Sequence, residues 1–165
     1  MSNDKRSEAI QQSKLMSDIQ PLPRDPRLTD RRVYTYWQKD SIRWSDTDMV
    51  GHVNNLAFAA YAETGRTQFF RDILARNTAS ERLLVLAQIN ISYLGEMHWP
   101  GDVDIGTCLL KVSNTSCRLA NGLFYGDRCV GTVDSLLVHI DQTTRQASPM
   151  DDELRHFLER HLIKA

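Results

Sequence analysis

A chain of 165 residues with 41% hydrophobic content holds enough apolar side chains for one core and too few residues for two comfortable domains. Its 20 basic and 21 acidic residues nearly cancel and are scattered; this excludes a nucleic-acid stripe or a polybasic membrane anchor and favours small molecules or proteins as partners. No run approaches the roughly 18 apolar residues that cross a bilayer, and the start MSNDKRSEAIQQSKLMSD lacks the apolar core of a secretion signal, so a cytoplasmic location is expected.

In chain order, residues 1–32 are polar and broken by Pro21, Pro23 and Pro26, which predicts a flexible extension before a domain spanning 33–165. Val33 to Arg43, VYTYWQKDSIR, is rich in β-branched and aromatic residues and predicts a strand. A polar run follows, and from Leu56 onward Phe58, Ala62, Gly65, Phe69 and Ile73 recur at steps of three and four, the stripe of one helical face. Asn54 or Asn55 is placed to cap that helix. Gly65 in its middle costs about 1 kcal/mol relative to alanine, which points to a close approach by a strand.

Four further strands are predicted in LLVLAQINISYL, VDIGTCLLKV, CRLANGLF and RCVGTVDSLLVHI. Ser113 to Ser116 and Tyr125 to Asp127 are short enough for hairpins, with Asn and Gly-Asp supplying positive φ. A last helix is expected within Pro149 to Lys164, where Leu154, Phe157, Leu158 and Leu162 have helical spacing. The order β, α, four β, α predicts an α+β domain with an antiparallel sheet packed on one long helix. Cys108, Cys117 and Cys129 are odd in number and lack a CxxC spacing, which reads as buried, reduced thiols.

The polar run SDTDMVGHVNNLAF, Ser45 to Phe58, places two carboxylates immediately before a helix N-terminus. Such a terminus carries about half a positive charge and several unpaired N–H groups, so an oxygen arriving there is stabilised. Asp48 lies one tight turn upstream, and Gly51 permits that turn. Together they offer a carboxylate opposite an electrophile whose oxygen is held by backbone donors, the equipment for acyl transfer.

DTDMVGHVNN, followed by Glu63 and Arg66, resembles the 4-hydroxybenzoyl-CoA thioesterase family of hotdog-fold enzymes, in the branch that writes this loop as D-x-D-x-x-G-H-V-N-N. Pro100-Gly-Asp before the third strand and VHID closing the last are similar as well, so the resemblance covers about residues 33 to 158. It implies an α+β hotdog fold: a five-stranded antiparallel sheet wrapped around the central helix, with a C-terminal helix. It also implies a homodimer or homotetramer with active sites at the subunit interface, and hydrolysis of an acyl-CoA to a carboxylate and free CoA. The catalytic carboxylate falls on Asp48 and the oxyanion-binding backbone N–H on Asn55, with Asp46 structural; Val50, Gly51, His52, Phe58 and Glu63 fall on substrate-binding positions. Relatives commonly carry Tyr at the position of Phe58, and other branches replace His52 with an apolar residue.

Each of these residues also has a plainer reading. Asp46 and Asp48 suit Asx turns, His52 suits a hydrogen bond to backbone, and Glu63 suits an ion pair with Arg66 three residues on. Glu63 is the second candidate for a catalytic acid. Asp48, His52, His98 and Asp102 have the residue types of a metal site but no recognised spacing, so neither a metal nor another cofactor is expected. Lys111, Arg118 and Arg128 are available for the phosphates of coenzyme A. The rival to hydrolysis is a hotdog module that binds an acyl thioester or a protein partner without turnover; a hydratase would need Asp, Glu and His spacings that are absent.

Overall fold

The computed structural model describes residues 24–74 and 83–163. Five strands, β1 (Tyr36–Ile42), β2 (Leu83–Tyr93), β3 (Gly101–Val112), β4 (Ser116–Tyr125) and β5 (Arg128–Ile140), form one antiparallel sheet in the order β1-β3-β4-β5-β2. The helix α1 (Asn55–Leu74) lies across one face, and the shorter α2 (Asp152–Glu159) follows the last strand. This is the sheet-around-helix architecture that the loop motif implied.

The contact between α1 and the sheet is set by its smallest residue. A Cβ on Gly65 would stand 2.4 Å from Ile105 Cγ2 on β3 and 3.2 Å from Asn121 Nδ2 on β4, so the helix lies nearer the strands than any side chain would allow. Under its first half, Phe58, Tyr61 and Ala62 pack with Val103, Ile105, Leu123 and Val133. Under its second half, Phe69 packs with Leu109, Leu119, Leu137 and, from α2, Leu154 and Leu158. Between the two clusters runs a buried polar belt: Asn121 donates to Thr107 Oγ1 at 2.9 Å, and Ser135 stands opposite Leu119 on the adjacent strand.

The opposite face of the sheet is covered near its centre by the approach to β1. Tyr34 lays its ring over Gly106 and Gly122, where added Cβ atoms would come within 2.5 and 2.3 Å of it, and its hydroxyl donates to Leu28 O at 2.6 Å. Leu28, Val33 and Tyr34 are buried there with Cys108, Ala120 and Phe124. The strand expected from Val33 therefore begins only at Tyr36, and packed structure starts earlier than the boundary at residue 33. Two short 3-10 turns, Pro26–Thr29 and Arg31–Val33, replace the extended chain, because Asp25 and Asp30 accept the N–H groups of Arg27 and Arg32. Residues 1–23 of the expected extension lie outside the described residues.

Two other expectations change. Asn114 does not adopt positive φ; Gly126 does, at 60°, whereas Asn114 accepts from Met150 N and from Arg155. The final helix ends at Glu159 instead of running toward Lys164. Beyond it, Leu109 N–H donates to His161 O at 2.8 Å and Ile163 N–H to Leu109 O at 2.7 Å, so the tail pairs with the edge of β3 that β1 leaves free.

Candidate active site

The polar run folds as a miniature hairpin. Thr47 and Val53 form an antiparallel bridge, Asp48 N–H donates to His52 O at 3.0 Å, and Gly51 N–H donates to Asp48 O at 3.1 Å. Gly51 has φ of +91°. The D-x-x-G spacing thus serves a three-residue hairpin, with Asp opening the turn and Gly supplying the left-handed residue that closes it. Two ties fasten the hairpin to the body: Val53 N–H to Met97 O and Asn54 N–H to Asp46 O, both 2.8 Å. His98 Nδ1 lies 3.2 Å from Gly51 O.

The two aspartates have separate tasks. Asp46 Oδ2 accepts from Tyr61 OH at 2.7 Å and from Arg43 N–H at 2.8 Å, which locks the loop to α1; burial and then the hydrogen bond to Asp46 push the Tyr61 pKa upward. Asp48 accepts Val50 N–H on Oδ1 at 2.9 Å, an Asx turn, while its Oδ2 stands 3.4 Å from His52 Nδ1. Its side chain is 24% exposed, so the carboxylate is held in a fixed orientation and still reachable.

At the start of α1 the cap is Asn54. Its Oδ1 accepts Leu56 N–H and its carbonyl accepts Ala57 N–H, each at 2.9 Å. That leaves the Asn55 N–H, which has no acceptor among the described residues, at the positive end of a 20-residue helix. Phe58 is buried, 5.2 Å edge-on from the Tyr93 ring, and Tyr93 OH donates to Asn55 O at 3.4 Å. Val50, Met49 and Leu56 are largely exposed around the hairpin, and Trp44 and Trp99 meet edge-on at 5.2 Å.

Glu63 and Arg66 do not form the expected ion pair. Glu63 is exposed, whereas Arg66 is buried, with its Nη1 lacking any hydrogen-bond partner. Both line a cavity of about 450 Å³ with Thr67, Phe70, Leu84, Leu137 and Leu154, beside the second half of α1 and away from the hairpin. Of the basic candidates, Arg128 donates to Glu96 O at 3.0 Å, in the segment that carries His98. Arg118 is instead ion-paired with Asp134 across β4 and β5.

Among the described residues no three His, Cys, Asp or Glu side chains come together to hold a metal, and no helix is long and apolar enough to cross a membrane. Burial pushes the Cys108 and Cys117 thiols up to about 12, which leaves them unreactive at neutral pH. Tyr61 and Tyr93 were missed by sequence reasoning. Tyr61 sits on the helix one turn beyond Phe58, a spacing that offered a signal; Tyr93 sits at the end of an edge strand and offered none.

Comparison with known proteins bears on the fold and the family. A 64-residue stretch is 30% identical to YsmA of Bacillus subtilis (strain 168), covering 39% of this chain and 44% of that protein; the match spans less than half of the curated relative. The PA5185 protein of Pseudomonas aeruginosa strain PAO1 superposes with a TM-score of 0.74 at 21% identity, covering 82% of this chain and 96% of that one. A thioesterase from Thermus thermophilus, complexed with coenzyme A and zinc, gives 0.67 at 21% identity and covers 78% and 95% of the two chains. These structures share the hotdog fold. The model of the Thioesterase-like superfamily matches residues 42–158, from the last residue of β1 through the hairpin and α1 into α2, and the chain belongs to that superfamily.

Proposed function

We propose that the protein is an acyl-CoA thioesterase, hydrolysing an acyl thioester to a carboxylate and free coenzyme A. The observation that carries this reading is the Asn55 N–H at the start of α1, without an acceptor among the described residues, directly after a hairpin that fixes the Asp48 carboxylate. A thioester carbonyl oxygen accepting from Asn55 N–H gains a donor whose helix dipole favours the negative charge that develops on attack. Asp48 either attacks the carbonyl carbon or takes a proton from the attacking water; the thiolate leaves and is protonated to the thiol. The coenzyme A in the Thermus thermophilus structure supports CoA as the thiol.

The exposed Met49, Val50 and Leu56 support a second copy of the chain completing the cleft, in a homodimer or a homotetramer. Val50, Gly51, His52 and Phe58 then contact substrate, and Glu63 lies further along the helix. Three free thiols support a reducing, cytoplasmic compartment.

Asp48→Asn is the decisive variant, because asparagine keeps the Oδ1 that accepts Val50 N–H and removes only the charge. Free-thiol release from aromatic, short, medium and long acyl-CoA substrates is expected to fall about 100- to 10,000-fold, with melting temperature and assembly unchanged. Retained turnover removes Asp48 from its role. Tight acyl-CoA binding without thiol release by the wild type replaces hydrolysis with a binding module.

A further inference from the structure

Arg66 poses a problem that the hydrolytic site does not use. Only 8% of the residue is exposed, its Nη1 has no partner, and no hydrogen bond or ion pair to it occurs among the described residues. A guanidinium withdrawn from water without a hydrogen-bonded partner is costly, and a well-packed apolar residue of similar volume would serve stability better. Burial lowers its pKa from the ordinary arginine value, with the Glu63 charge acting in the opposite sense, yet arginine stays protonated.

The cavity beside it defines what is missing. About 450 Å³ lies within the range of small-ligand pockets, and its walls are largely apolar: Phe70 from α1, Leu84 from β2, Leu137 from β5 and Leu154 from α2. Glu63, exposed on the cavity wall, acts on Arg66 through its charge but makes no ion pair or hydrogen bond to it, and Arg71 is paired with Asp72, so the Arg66 fork has no bidentate partner among the described residues. One planar cation in an apolar cavity matches one planar monoanion carried on hydrocarbon; a carboxylate takes two parallel N–H bonds from it, whereas a phosphate dianion would require further donors.

We infer that Arg66 and the cavity between α1, β2, β5 and α2 bind an aliphatic carboxylate. Two sources present that chemistry: a free fatty acid, or an acyl chain whose far end is a carboxylate. Asn55 and Arg66 are 11 residues apart, about 16 Å along the helix, so an acyl chain would have to extend over that span. Binding of the carboxylate does not depend on hydrolysis at Asp48; its role as a substrate end group does.

Equilibrium dialysis of radiolabelled octanoate against the full chain, with octanol as the uncharged control, tests this. Octanoate affinity is expected to fall at least about tenfold in Arg66→Met and to recover in part in Arg66→Lys, with octanol binding unchanged and the Arg66→Met melting temperature equal to or above wild type. Absence of octanoate binding by the wild type, or equal binding by Arg66→Met, overturns the inference. So does a melting temperature lowered by more than about 5 °C or a changed oligomeric state in Arg66→Met, because Arg66 would then have a structural partner in the assembly. Free-thiol release from tetradecanoyl-CoA and ω-carboxytetradecanoyl-CoA, whose chains are long enough to cover that span, separates the sources. Preference for the latter, lost in Arg66→Met, assigns the site to the acyl terminus; no preference, with octanoate binding intact, assigns it to a free fatty acid. Octanoate binding with no thiol release from any of the aromatic, short, medium and long acyl-CoA substrates removes the thioesterase reading and leaves the carboxylate site standing.

Discussion

Gly65 shows how a single hydrogen atom in place of a side chain sets the spacing of the molecule. Its absent Cβ would lie 2.4 Å from a methyl of Ile105, and a β-branched side chain cannot turn that methyl aside. Gly65→Val is therefore expected to lower stability by about 2 to 3 kcal/mol, read as a shift in the urea midpoint; an unchanged midpoint would show that the helix can rise off the sheet freely. This glycine was readable from sequence as a close approach, because it interrupts a helical stripe at a position that helix propensity disfavours. Arg66, the next residue, was not. A spacing of three predicts an ion pair with Glu63, and nothing in the letters says that the arginine turns inward while the glutamate stays in water.

The start of α1 is where element and proposed chemistry meet. Asn54 caps the helix through its Oδ1 at 2.9 Å and leaves the neighbouring Asn55 N–H open. Asn54→Ala is expected to cost about 1 kcal/mol of stability and to reduce thiol release as the first turn frays, measurable by chemical denaturation alongside the thiol assay; full activity in the variant would mean that the cap does not position the donor. The loop was legible at this scale for a physical reason: D-x-x-G is turn chemistry and N-N before an apolar stripe is cap chemistry, so composition alone locates the hairpin and the helix start. The strands β2 to β5 were legible through β-branched residues and short turns between them. The first strand was read too long because Val33, Tyr34 and Thr35 have strand-like side chains, while the Asp25 and Asp30 carboxylates upstream fold the chain into turns.

For the molecule as a whole, both ends of the described chain converge on β3. Thr35 Oγ1 lies 3.0 Å from His161 Nδ1, and the His161 ring stacks edge-on against Phe69 at 5.1 Å and beside Phe157 at 4.8 Å. Burial, then the Arg160 charge, lowers the His161 pKa from 6.5. The folded protein thus binds the proton more weakly than the unfolded chain, so this contribution to stability is complete above pH 6.5 and is lost as pH falls through the lower, folded value. Between about pH 7.5 and 5.5 the urea midpoint of the wild type should fall further than that of His161→Phe, which keeps the ring packing and cannot titrate. Equal shifts would show that the ring takes up its proton without penalty.

The ring of Tyr34 rests on two bare backbone positions, Gly106 and Gly122, in adjacent strands. These three sites form a single steric unit assembled from distant parts of the sequence. Among homologous chains, a side chain can appear at 106 or 122 only where the aromatic at 34 has given way to something smaller, so the three columns of an alignment should change in concert or stay fixed.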